Sequence, residues 1–134
     1  MIVVDTNIIH YCWVRGVHTD VAQAVRQQDP DWHAPILWRS ELCNVLTAYL
    51  RRQSLSREQI VEILDAADQA LAGSEHVIAD QLVLDVVEGS TLTAYDAEFV
   101  ALASALSVPL VTADKAVLKA FPDRALTMGA FAGR

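Results

Sequence analysis

Cysteine is scarce in this chain. The two present, Cys12 and Cys43, stand far apart in apolar helical patterns. They read as small buried hydrophobes in a reducing compartment, which points to the cytoplasm. No CxxC or HxxxH spacing accompanies the four histidines, which removes the usual zinc arrangements. Basic residues are also in deficit. Ten Lys and Arg face 17 Asp and Glu, for a formal net charge of −7. That balance argues against a protein that simply coats nucleic acid, which is normally basic. It leaves room for a nuclease, because metal ions invert the sign of an acidic site. No apolar run approaches the roughly 18 residues that span a bilayer, so no membrane segment is expected. The amino terminus lacks a basic segment and its apolar run is interrupted by Asp5, so no signal peptide is expected. Linkers, repeats and low-complexity tracts are missing as well.

What is present is apolar material. Over 134 residues, 53% are hydrophobic, enough for a proper core. A chain of this length buries roughly 68–70% of the surface exposed on unfolding. It is read as a single domain, residues 1–134.

The pattern along the chain alternates strands and helices. It predicts a strand over 1–5 and a short helix over 6–14. A second helix is expected over 19–28, with Thr19 as N-cap and Val21, Ala22 and Val25 on one face. Asp29-Pro30-Asp31 breaks it. A short strand at 32–34, closed by Pro35, precedes a long helix over 36–53. Ser56 and Gln59 form an S-x-x-Q capping box for the next helix, which Gly73 ends. Further strands are expected at 76–78, 108–112 and 125–127. Helices fall at 82–87, from Thr93 to about 107, and at 114–121. Alternating units of this kind imply a parallel sheet with helices on both faces.

Four acids fall at the junctions of these elements. Asp5 ends the run Ile2-Val3-Val4, and Asp114 lies just past Pro109-Leu110-Val111-Thr112. Glu41 and Asp96 lie on, or at the start of, helices. Carboxylates delivered to the ends of adjacent parallel strands converge at one sheet edge, where open α/β folds keep their sites. Grouped carboxylates resist joint ionisation unless a cation sits among them. Hard oxygen ligands suit Mg²⁺ or Mn²⁺.

Each acid also has a simpler reading. Asp5-Thr6-Asn7 are all helix-capping types, and Asp114 suits an N-cap equally. Asp96 in a first helical turn is favoured by the macrodipole, and Glu98 would serve the same purpose. Glu41 is harder to dismiss. Flanked by Leu37, Trp38, Leu42 and Val45, it lies on or beside an apolar face, where a Glu needs a partner or a metal. Arg39, two residues away, points elsewhere on the helix. Asp65, Asp68, Asp80, Asp85 and Glu88 read as solvated charges. The histidines read as ordinary surface or partly buried residues, and Trp13, Trp32 and Trp38 as packing residues.

Three stretches, MIVVDTNIIHY, SELCNVLTAYL and LTAYDAEFVALASALSVPLVTADKAVLKAF, resemble the PIN domain family, in particular the VapC-type toxins of bacterial toxin–antitoxin pairs. They span the chain nearly end to end. The resemblance implies a three-layer α/β/α sandwich with a short parallel sheet of about five strands. It implies a metal-dependent endoribonuclease acting on RNA, the toxin of a type II pair, with a cognate antitoxin and a homodimer. Asp5, Glu41, Asp96 and Asp114 match the family's acidic site, which selects Asp96 over Glu98. Thr112 matches a small hydroxyl residue two positions before the last acid.

Two rivals differ in chemistry. A phosphoaspartyl transferase would carry a second Asp where this chain has Asn7. A non-enzymatic PIN-like or receiver-like module would bind protein or RNA, but no Asp is expected at the end of a central strand. Leu46, Leu50, Ile60, Ile63 and Leu71 are candidates for a homodimer face or an antitoxin groove. Arg51, Arg52 and Arg57, and Lys115 with Lys119, are candidates for steering a phosphate backbone.

Overall fold

A computed structural model describes all 134 residues. Five short strands form one sheet: β1 (Ile2–Val4), β2 (Trp32–Pro35), β3 (Glu75–His76), β4 (Leu110–Val111) and β5 (Ala125–Leu126). All pairs are parallel, and the order across the sheet is β3-β2-β1-β4-β5. Between them run α1 (Thr6–Trp13), α2 (Thr19–Gln28), α3 (Leu37–Arg51), α4 (Arg57–Leu71), α5 (Asp80–Glu88), α6 (Ala94–Leu106) and α7 (Lys115–Ala120), with α8 (Met128–Ala132) last.

Connection handedness sorts these helices into layers. The chain steps from β1 to β2 to β3 in one direction through α1–α4. It then jumps back past β1 to β4 and β5 through α5–α7. Right-handed crossovers in opposite directions put their helices on opposite faces. The packing agrees: α1, α3 and α4 contact one another, α5 packs on α6, and α8 closes on α2. The result is the expected α/β/α sandwich. No helix is long and apolar enough to cross a membrane.

β1 and β4, at the centre of the sheet, are uninterrupted apolar runs because both faces are covered, whereas β2 carries His33 and the edge strand β3 is Glu75-His76. Val3, Val4 and Val111 are fully buried. Helix α6 contacts β1, β2 and β4 and buries residues from Ala97 through Ala103 almost continuously, as an apolar helix enclosed on all sides does. Trp32 and Trp38 are core residues.

Several local expectations need correction. Thr19 is the first helical residue of α2, not its N-cap, which is His18. Its hydroxyl instead accepts from the Gly16 N–H and donates to the Val14 carbonyl, closing the preceding loop. Helix α8 escaped the sequence reading; Thr127 caps it by accepting from Ala130 N–H. Cys43 is exposed, while Cys12 is buried, and both are free. His33 is buried, bonded to His76 at 2.8 Å and to Asp31 at 2.9 Å. Asp68 is not a free surface charge: it pairs with Arg39 across α4 and α3. Leu46 and Leu71 are in the core, and Ile60 and Ile63 pack against it, so of the five proposed interface residues only Leu50 is substantially exposed.

Candidate active site

The chain reverses its direction across the sheet between β1 and β4, and a crevice opens beyond their carboxyl ends, the usual ligand position in an open α/β sheet. The register pairs Val4 with Val111, so Asp5 and Thr112 leave the sheet side by side. Asp5 caps α1, its Oδ1 accepting from Ile8 N–H at 3.2 Å. Asp114 caps α7, accepting from Val117 N–H at 3.0 Å. The capping reading of both residues is therefore realised, and both also line the crevice. A carboxylate has more lone pairs than one capping bond uses.

The other two acids come from helices. Glu41, Asn44 and Val45 share one face of α3 at steps of three and four. Asp96 lies in the first turn of α6, whose N-cap, Thr93, accepts from the Asp96 N–H. Asp5, Glu41, Asp96, Asp114 and Thr112 all line one cavity of about 190 Å³, with Thr6, Asn7 and Asn44 among its other polar residues.

Two threonines organise the carboxylates. Thr112, fully buried, donates its hydroxyl to Asp5 Oδ2 and accepts from Asp114 N–H at 3.0 Å. Thr6 donates to Glu41 Oε1 at 2.7 Å. The sequence reading missed Thr6; the available signal was a hydroxyl beside Asp5 at the head of an apolar helix. Thr112 and backbone amides hold the Asp5 carboxylate. Because β1 is the middle strand of the sheet, Asp5 stands at the centre of the sheet's carboxyl edge.

No Lys or Arg lines this cavity, and the carboxylates show the consequence. Burial pushes the Asp5 carboxyl up to about 6, against the opposing pull of Thr112 and nearby backbone N–H groups. Burial raises Glu41 too, with the Thr6 bond opposing it and the charges of Asp96 and Glu98 adding to it. Asp96 is raised by burial and by Asp114. Glu98, set aside on sequence grounds, lines the neighbouring groove, yet its charge is felt at Glu41.

The donor set is therefore oxygen-only, anionic and without an internal cation, which suits a hard divalent ion. The side chains are not drawn tight: no three of His, Cys, Asp or Glu already form a group that could hold an ion. Asp5, Glu41 and Asp96, whose proton affinity is raised, would adjust around a cation, since its charge relieves the repulsion that keeps the carboxylates apart.

The sequence model of the PIN domain matches residues 2–122. No curated protein matches the chain. Among solved structures it is similar to PAE2754 from Pyrobaculum aerophilum, at 23% identity over 99% of this chain and 94% of that one, with a TM-score of 0.66. It is also similar to FitAB, solved bound to a DNA fragment, at 16% identity over 96% and 95%, with a TM-score of 0.73. At these identities the likeness to solved structures concerns the fold. The family match covers nearly the whole chain, and the chain belongs to the PIN domain family.

Proposed function

We propose that this protein is a Mg²⁺- or Mn²⁺-dependent endoribonuclease and the toxin of a type II toxin–antitoxin pair. PIN domains are generally nucleases that use divalent metals; the substrate, the ion and the biological role are the finer reading. The observation that carries it is the meeting of Asp5, Glu41, Asp96 and Asp114 in one cavity with no basic residue in its lining. These four would hold the ion. Bound there, it would polarise a scissile phosphate and bring a water toward ionisation.

The protein's own residues do the rest. Thr112 and Thr6 each hold one carboxylate oxygen in place, which limits the rotamers available to Asp5 and Glu41. None of the acids needs to be a covalent nucleophile. Lys115 and Lys119, exposed on the helix that Asp114 caps, offer positive charge to a phosphate backbone beside an otherwise repulsive site. Arg51, Arg52 and Arg57, exposed around the end of α3 and the start of α4, are a second candidate for contact with the backbone.

A cognate antitoxin and a homodimer belong to this reading. Its support is an apolar groove of about 720 Å³ that includes Ile36, Val77 and Leu84. Those three are 52%, 82% and 55% exposed, an apolar cluster of the kind a partner can cover.

The test is cleavage of single-stranded and structured RNA by purified protein with Mg²⁺ or Mn²⁺ against EDTA. Metal-dependent RNA cleavage is expected, and its absence overturns the enzyme reading. FitAB was solved with DNA, so a DNA substrate belongs in the same assay. The open arrangement of the acids favours one rival, a non-enzymatic PIN-like or receiver-like module. That rival predicts binding of RNA or protein with no cleavage under either ion.

A further inference from the structure

We infer that the hollow between α1 and the last turn of α2 is a carboxylate-binding site anchored by Arg26. The Arg26 guanidinium carbon lies 5.1 Å from the Trp13 ring centroid and 5.9 Å from that of Trp32. The two indoles meet edge-on at 5.8 Å. Attraction to the ring faces offsets part of the cost of desolvating the cation, and a cation in a last helical turn is favoured by the helix dipole. Neither effect supplies a hydrogen-bond acceptor. Arg26 takes part in none of the salt bridges, and its Nη1 is buried without a partner. The one other buried side-chain polar atom in that condition is Trp32 Nε1, in the same stack. Both atoms are donors. An unmet buried donor is destabilising, so this place lacks acceptors.

Beside Arg26 lies a cavity of about 380 Å³, lined by Cys12, Trp13, Gln23, Arg26, Gln27 and Pro30. That volume is within the range of ligand pockets, roughly 300–1,000 Å³. No acid lines it, so in a protein of net charge −7 the anion must come from outside. The planar fork of a guanidinium matches a carboxylate with two parallel bonds. A single cation balances one negative charge, whereas a phosphate would call for a second Lys or Arg that the lining lacks. Gln23 and Gln27, four residues apart on α2, share a face and add neutral donors and acceptors. Trp13 and Pro30 cover the apolar part of a ligand. The cavity shares no residue with the acidic one, and its ligand is either a free small carboxylic acid or the glutamyl side chain of a docked peptide.

The experiment follows the indole N–H signals of Trp13, Trp32 and Trp38 and the Arg26 Nε–H signal in ¹⁵N-labelled full-length protein. The probes are sodium acetate, a capped glutamyl tripeptide and sodium phosphate, each compared with sodium chloride at equal ionic strength. The carboxylates should shift Trp13, Trp32 and Arg26 saturably. Trp38, which donates to Glu75 at 2.9 Å, should stay fixed. Tighter binding of the tripeptide than of acetate assigns a protein segment as the source; the reverse assigns a free acid. Arg26→Lys keeps the charge but loses the fork, and should weaken binding roughly tenfold. Gln23→Ala serves the same comparison if Arg26→Lys does not fold. An equal response to chloride, unchanged affinity in the folded variant, or tighter binding of phosphate than of acetate overturns the proposal. RNA cleavage plays no part in the readout, so the result is independent of the nuclease reading.

Discussion

Thr112 joins Asp5 to Asp114: one hydroxyl donates to the Asp5 carboxylate and accepts the Asp114 N–H. The two strands that flank the reversal of chain direction are thereby tied at the point where their acids emerge. Thr112→Val keeps the shape and removes both bonds. It should cost about 1–3 kcal/mol, because a buried carboxylate and a buried N–H each lose a partner. Urea denaturation measures this, with Thr112→Ser expected to retain most of the stability. A Val variant as stable as the parent would show that the tie contributes nothing.

The acidic cluster should be separable from the fold. Asp114→Asn keeps an oxygen to accept from Val117, and the Asp96 side chain caps nothing. Both variants should fold and lose metal-dependent RNA cleavage by roughly 100-fold or more, the upper range for disturbed metal sites. Asp65→Asn, at an exposed position, is the control. Asp68→Asn is unsuitable because it breaks the pair with Arg39. Full cleavage by folded Asp114→Asn protein would remove Asp114 from the site.

Stability should depend on pH and metal in a defined sense. The Asp5 carboxyl rises from 3.8 to about 6 on folding, and Glu41 and Asp96 are raised as well. A group with a raised folded pKa favours the fold when protonated, and that benefit is lost as pH rises through the folded value. For Asp5 the loss spans about 3.8 to 6 and is of the order of 3 kcal/mol. In EDTA the melting temperature should therefore fall across this window. Asp96→Asn should match or exceed the parent at neutral pH, and Mg²⁺ or Mn²⁺ should stabilise the parent more than the variant. Equal metal shifts, together with a strongly destabilised apo variant, would make Asp96 a structural residue only.

The apolar groove supports an assembly test. If a second copy covers it, light scattering at high micromolar concentration should give a dimer, and Leu84→Glu or Val77→Glu should give a monomer. A parent protein that stays monomeric removes the homodimer and leaves the groove to an antitoxin.

Elements with strong local chemistry could be read directly from the chain. The Ser56–Gln59 box is fully formed, with both reciprocal bonds present, and Thr93 caps α6. Each is made by residues within one turn. Thr19 misled because its hydroxyl, a sound capping group, found better partners in the loop before it. Leu46 and Leu71 misled because periodicity shows which side of a helix is apolar, not what covers it.

The sequence by itself determined the alternation of strands and helices, the apolar runs that become buried strands, and the placement of Asp5 and Asp114 at strand–helix junctions. Those features depend on neighbours a few residues apart. Only the tertiary structure decided that Thr6 bonds Glu41, 35 residues away, that Thr112 bonds Asp5, 107 residues away, and that Arg26 is left between two indoles without an acceptor. Such contacts follow from strand order and helix packing, and a hydroxyl or guanidinium carries no local mark of the partner that the fold will bring to it, or fail to bring.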